Sequence, residues 1–583
     1  MRVTFIQGGM LACCLSLAVG TAGAEQVEPG PLVQLLESEL QYTMQELPDA
    51  GSEPPYYLAY TITDTSTLSV VGTLGALTRN ETERDRSLDV DVRVGSYEID
   101  STRQLRGRGQ GGRGFRPSFG GASRVSLEDD DDAIRHALWR ATDRACKQAA
   151  ERYKRVQTNL KTMVDETHEA DDFSREEPQI WYETPVSTSL DRELWVERIR
   201  SVSKLALEYP LIQTSNVALA ASAENRTMVT SEGTKLQTGR KLLRVVVAAS
   251  TRAEDGMDLS QSFIFNTASE DGLPEEADMR AAFQRVIDKV LALRDAPLVE
   301  PYTGPAILLN RASGVFFHEI FGHRIEGHRQ KNVREGQTFT KMIGKPVLPS
   351  FLSVADDPTV RDFAGVDLRG FYRFDDEGVP GSRVELVKEG VLQTFLLSRS
   401  PVEDFDRSNG HGRREPGRSV VSRQGNLIVS SSRTVTFDEL RKQLLEECEK
   451  QSKPFGYVFE DITGGFTTTG RGGPQAFKVL PVVVYRVYTD GRPDELVRGV
   501  DIVGTPLSCF ASIVCTADDS NVFNGSCGAE SGWVPVSAVS PSILVAQIEI
   551  EKRERSQEKL PILDPPIAGE GDREGSEEEE ESR

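Results

Sequence analysis

The sequence predicts an α+β fold, with an N-terminal domain of mixed helices and strands followed by a mostly β C-terminal domain. Three observations carry this expectation. Helical periodicity recurs at 29–46, 133–161 and 277–294, between runs rich in β-branched and aromatic residues. From Pro305 the texture shifts to short apolar runs turned at Glu389-Gly390 and Asp490-Gly491, as hairpins require. One helix interrupts this β-rich half near its start, and it carries a cluster of histidines. The second domain is therefore expected to be barrel- or sandwich-like, with the histidine helix set into it.

Taken in order, residues 1–24 read as an export signal. Arg2 supplies positive charge, 10–19 is mostly apolar, and Thr21-Ala22-Gly23-Ala24 offers a small-residue cleavage site. Cys13 and Cys14 lie inside it, but the apolar run continues past them, which places cleavage after Ala24. No later stretch reaches the ~20 apolar residues of a spanning helix. The mature chain is expected to be soluble and exported, to the periplasm or beyond the cell.

The N-terminal domain is placed at 25–296. Leu32, Leu35, Leu36, Leu40 and Met44 form a helical stripe that Pro54-Pro55 end. Residues 56–63, 66–71 and 88–99 read as strands, and 105–124 as a flexible Gly/Arg-rich loop. Asp129, Asp130, Asp131 and Asp132 put negative charge at the start of the next helix, where its dipole favours it. Residues 181–225 mix signals and 242–249 are a strand. Met279, Phe283, Val286, Val290 and Leu293 share one face of the last helix. Pro297, Pro301 and Pro305 mark the boundary. The C-terminal domain, 297–555, holds a buried strand at 306–309, hairpins over 384–397 and 482–503, strands at 427–435 and 542–550, and a helix at 437–450. The tail, 556–583, is acidic and expected to be disordered.

Composition narrows the function. A chain of 583 residues with 38% hydrophobic content, 24 Phe and 13 Tyr fits a globular protein of two or more domains. A net charge of −22 argues against nucleic acid as the partner, because phosphate binding needs a cationic surface.

Residues 314–328 read G-V-F-F-H-E-I-F-G-H-R-I-E-G-H and contain three of the chain's six histidines. His318 and His323 offer imidazoles to a divalent metal, and Glu319 can take a proton from water held there, the equipment of a metallohydrolase. In the common zinc-protease pattern the histidines are four apart and share a helix face. Here they are five apart, which turns them away from each other by roughly 140° on a regular helix. Either a π-type turn or a break before His323 must bring them together, and Gly322 eases both. A third ligand is needed. His328, His411, Glu326, Cys509, Cys515 and Cys527 are candidates, and spacing does not choose between them. Five cysteines remain once Cys13 and Cys14 leave with the signal, so at least one stays unpaired in an oxidising compartment. Arg413, Arg414 and Arg418 lie in a Gly-rich loop where guanidinium groups could grip a peptide carbonyl or carboxylate. His411 in the same loop could donate to an oxyanion or simply be solvated. Asp375, Asp376 and Glu377, ahead of Gly378, read as a turn rather than a second metal site.

Four motifs in this order resemble the TldD/PmbA family of metallopeptidases: F-F-H-E-I-F-G-H-R-I-E-G-H, F-D-D-E-G-V-P-G (374–381), S-N-G-H-G-R-R (408–414) and N-G-S-C-G (524–528). The resemblance covers about 275–550. It implies Zn2+ held by His318, His323 and Cys527, with Glu319 as general base, and peptides or unfolded proteins as substrates. A thiolate ligand would temper the Lewis acidity of the zinc and make turnover modest. The resemblance also implies an enclosed active site and dimeric assembly, as a homodimer or with a paralogue. It leaves two alternatives: a catalytically silent half of a heterodimer, or a zinc amidase on a non-peptide substrate. This chain departs from the family at His328, where an aspartate is usual, and in its export signal.

Overall fold

The computed structural model describes residues 27–47, 53–105, 122–161, 170–331, 335, 337–467, 477–504 and 506–553, with positions 561, 563 and 566. The signal segment, most of the Gly/Arg-rich loop and nearly all of the acidic tail lie outside the described residues.

The first half is built on one antiparallel sheet of very long strands. α1 (Pro31–Glu46) precedes β1 (Pro55–Thr73) and β2 (Ala76–Val94), which form a hairpin at Leu74-Gly75, both with positive φ. The sequence divides β1 at Asp64-Thr65, but the structure runs one strand through. Asp64 is satisfied across the hairpin by Arg84 and Arg86, at 2.6 and 2.8 Å, so polar residues need not end the strand. α2 (Asp131–Lys161) and α3 (Arg192–Ser203) follow, then β3 (Thr214–Thr230), β4 (Lys235–Arg252), β5 (Asp258–Thr267) and α4 (Glu276–Asp295). Asp130 caps α2, its Oδ1 accepting the Ala133 N–H at 2.8 Å. The long strands run β2-β1-β3-β4-β5. Leu243, Val245 and Val247 of β4 pack under α3 and α4 through Trp195, Ile199, Phe283 and Ile287. At the other end α1 and α2 cover Leu58, Tyr60, Ile62, Leu88 and Val92.

In the second half, β6 (Tyr302–Leu308) leads into α5 (Asn310–Ile320). Next come β7 (Leu352–Asp356), β8 (Val384–Lys388), β9 (Asn426–Ser431) and α6 (Phe437–Lys450). Seven strands finish the fold: β10 (Phe455–Thr467), β11 (Phe477–Tyr488), β12 (Val500–Gly504), β13 (Ile513–Ala517), β14 (Asn521–Ala529), β15 (Gly532–Ser540) and β16 (Ile543–Lys552). Four of these, with β6, close a five-stranded barrel. β6 is parallel to β10, which continues through β11 and β12 to β16, and β16 returns antiparallel to β6 with Ile543 opposite Leu308. The expected α+β class and the barrel are both present. The turn at Glu389-Gly390 also forms, with φ of 47° and 81°.

A second sheet, β8-β7-β9-β15-β14, lies across α5 from the barrel. One core joins the layers: Phe316, Phe317, Ile320 and Phe321 meet Phe459 and Val545 of the barrel and Leu352 and Leu427 of the sheet. Helix and sheet approach so closely that a Cβ on Gly314 would sit 3.3 Å from Ala538. This packing fixes the end of α5 against the β14–β15 hairpin.

Candidate metal centre

His318 and Glu319 occupy the last turn of α5. The helix then stops at Phe321, and Gly322–Arg324 form a single 3-10 turn that carries His323. Of the two ways to close five-residue spacing, the chain breaks the helix. The reason for Gly322 is space as much as backbone freedom. A Cβ there would fall 1.9 Å from Gln424 Oε1, while Gln424 Nε2 donates to the His318 carbonyl at 3.3 Å. The break brings the two rings to 5.1 Å between centroids at 72°.

Cys527 arrives from β14, opposite Val534 of β15. Its Sγ is 3.3 Å from His323 Nε2, and one donor atom from each of His318, His323 and Cys527 lies within 4.8 Å of the others. All three are buried, and this is the one group of three such donors among the described residues. His318 Nδ1 is buried without a partner. Two imidazoles, a thiol and an orphaned ring nitrogen in so small a volume fit a tetrahedral zinc. Without a cation these groups hold one another charged, and the imidazoles must give up their protons to ligate one. Burial opposes the charged imidazole forms, but Cys527 outweighs it and raises both histidine pKa values, His323 well above its usual range. Burial likewise opposes the Cys527 thiolate, yet His323 and His318 hold the thiol well below its ordinary value. The thiolate is the form that binds metal.

Glu319 Oε2 stands 3.8 Å from His323 Nε2, beside the donors rather than among them. Behind His323, Glu326 Oε1 lies 3.2 Å from Nδ1, within ion-pair distance on the side of the ring away from the thiol. Glu326 is fully buried, which works to raise its pKa, but His323 and Arg329 prevail and hold it at about 2. Arg423 joins both arms of the centre: its Nε is 3.5 Å from Glu326 and its Nη2 donates to the Cys527 carbonyl at 2.7 Å. Arg423 and Gln424 carry no sequence signal of this role, and Glu326 has one only as a possible ligand.

The remaining sequence candidates sit elsewhere. His328 faces Glu530, with Nε2 at 3.5 Å from its Oε1. Cys509 and Cys515 are buried in the barrel's cores, and no disulfide joins any of the five described cysteines. His411 is not solvated: it is fully buried, with Nε2 at 3.2 Å from Asp356 and Nδ1 at 3.0 Å from the Asn409 carbonyl. Arg413 is buried too, donating to the Gln424 carbonyl at 2.5 Å and lying over Tyr372. The Arg414 N–H donates to Asp376 at 2.7 Å, and its guanidinium is 3.5 Å from Asp89. Asp375 forms the expected turn, its Oδ1 accepting the Glu377 and Val379 N–H groups, each at 2.9 Å.

Fold and donor set define an α+β protein whose candidate metal centre lies between a barrel and a second sheet. Residues 301–552 match the PmbA/TldA metallopeptidase C-terminal domain, so this part of the chain is similar to the C-terminal domain of that family. It is 30% identical over 239 residues to a metalloprotease of Archaeoglobus fulgidus, covering 41% of this chain and 51% of the relative. It is 25% identical over 246 residues to a zinc metalloprotease TldD homolog of Saccharolobus solfataricus, covering 42% and 51%. The chain thus spans about half the length of the curated relatives it matches. The fold is similar to that of TldE from Thermococcus kodakarensis, with a TM-score of 0.60 at 14% identity over 89% of this chain and 100% of that one.

Proposed function

We propose that this protein is a zinc-dependent metallopeptidase that hydrolyses peptide bonds in extended or unfolded chains. The observation that carries the reading is the convergence of His318, His323 and Cys527 donors within 4.8 Å, with the Glu319 carboxylate 3.8 Å from one of them. When bound there, zinc supplies Lewis-acid activation of a water and of the peptide carbonyl at neutral pH. Glu319 takes the water's proton on its carboxylate and delivers it to the departing amine nitrogen. Glu326 and Arg423 hold His323 and the Cys527 strand so that this geometry precedes substrate binding.

The proposal extends to location and assembly. The amino-terminal signal supports action outside the cytoplasm, and the family resemblance supports pairing, with a second copy or with a paralogue. The test is cleavage of one substrate protein in reduced, unfolded form and in its folded form, by wild type and Glu319→Ala. Cleavage of the unfolded form alone is expected, with Glu319→Ala keeping zinc and losing at least about 10²-fold in kcat. Equal cleavage by Glu319→Ala, or of the folded form, contradicts the reading.

A further inference from the structure

One buried charge near the metal centre has no role in the mechanism above. Arg324 follows His323 in the 3-10 turn and is 3% exposed. Its Nη1 donates to the Ile320 carbonyl at 3.0 Å, which caps the end of α5. Its Nε and Nη2 have no partner. Those two nitrogens form one edge of the guanidinium, the same edge by which Arg84 grips the Asp64 carboxylate bidentately, at 3.0 and 2.6 Å. Among the described residues Arg324 makes no ion pair, whereas neighbouring Arg329 is bound to Glu326 and Glu530 at 2.9 and 2.7 Å. Burial, reinforced by the like charge of Arg329, pushes the Arg324 pKa down to about 10, and Glu319 is the group that opposes this. A dry, forked donor edge thus lies one residue beyond His323, in the turn that carries it. Capping explains one nitrogen and leaves the other two unsatisfied, an arrangement that costs stability unless a ligand completes it.

We propose that the Nε–Nη2 edge of Arg324 binds the carbonyl oxygen of the scissile peptide bond and stabilises the negative charge that develops on it. This rests on the metallopeptidase reading and adds a substrate-touching residue to it. In the first step the water oxygen bonds to the carbonyl carbon, the C=O π pair moves onto the carbonyl oxygen, and the water proton passes to Glu319. In the second, the C=O re-forms, the C–N bond breaks, and the Glu319 proton goes to the amine nitrogen. Arg324 offsets the charge on the oxygen between these steps, with donors that need no reorganisation because they are already fixed and dry.

The test uses the zinc-loaded chain with Arg324→Met and Arg324→Lys. Calorimetry compares an extended peptide with its phosphinic pseudopeptide, whose tetrahedral anion mimics the charged oxygen, and kcat and KM are measured on the peptide. For Arg324→Met we expect zinc retained, KM within about twofold, kcat lower by about 10²–10³-fold, and phosphinate affinity reduced far more than peptide affinity. Arg324→Lys should recover part of both losses, since it restores the charge without the fork. If Arg324→Met does not fold, Arg324→Lys decides: about a tenfold or greater loss of phosphinate affinity at constant peptide affinity supports the proposal. Unchanged phosphinate affinity in either folded variant overturns it and leaves Arg324 a helix cap. A wild type that binds phosphinate yet cleaves no peptide defeats the peptidase reading, while the affinity ratio still decides Arg324. A wild type that binds neither ligand defeats both.

Discussion

His323 and His411 are both buried imidazoles with a carboxylate oxygen 3.2 Å from one ring nitrogen, Glu326 for the first and Asp356 for the second. What differs is the other nitrogen. In His411 it meets the Asn409 carbonyl, so the ring is saturated by the fold. In His323 it meets the Cys527 sulfur, beside His318 and Glu319. A buried histidine and its carboxylate are thus equally compatible with structure and with metal binding. The partner of the second nitrogen separates them.

The largest effect that would sharpen this contrast is on metal binding. His323→Ala should lose zinc altogether, whereas His411→Ala should keep about one zinc per chain while losing about 3 kcal/mol of stability, from the broken buried hydrogen bonds and the space left behind. Metal analysis beside thermal unfolding checks both halves. A smaller effect is expected at the carboxylates. Glu326→Gln should weaken zinc binding by about 10–100-fold, seen in competition with a chelator, and Asp356→Asn should leave it unchanged. If the two exchanges behaved alike, the distinction between the histidines would fail.

Asp172 shows what a buried carboxylate does with less help. Burial pushes it up to about 6, against the partial opposition of Lys331, whereas Glu326, with His323 and Arg329 against it, stays at about 2. A carboxyl whose pKa is raised by folding contributes stability below its unfolded value and loses it as pH rises through the folded value. Wild type should therefore lose about 2 kcal/mol relative to Asp172→Asn between pH 4 and 7, measured by denaturant titration. Parallel curves would show that folding does not raise the Asp172 pKa. An effect of similar size is expected at Gly322→Ala. The new methyl must displace Gln424 from the His318 carbonyl, lowering stability by about 1–3 kcal/mol.

How much of this was legible in the sequence follows from distance along the chain. His318, Glu319 and His323 fall within one short window, so their chemistry could be read directly, including the need to break or widen the helix. Which remedy the chain uses could not, because it depends on Gln424, about a hundred residues away. Cys527 was one of several possible third ligands until the resemblance singled it out. Its proximity comes from α5 packing on β15, a contact between small residues that leaves no pattern. A barrel or sandwich is legible in the turns without a choice between them, and helices such as 437–450 coincide with the structure to the residue. β1 was split because Asp64 and Thr65 look like a break, and the cross-strand arginines that rescue them lie on another strand. Arg324 was passed over because unsatisfied nitrogens are visible only once everything around them is placed.

The central claim is that Cys527 and His323 hold one metal together, and zinc content per chain tests it most directly. About one zinc in wild type, absent from both Cys527→Ala and His323→Ala and retained in His411→Ala, is the predicted result. Zinc retained by Cys527→Ala but lost from His323→Ala would contradict the assignment of the third ligand.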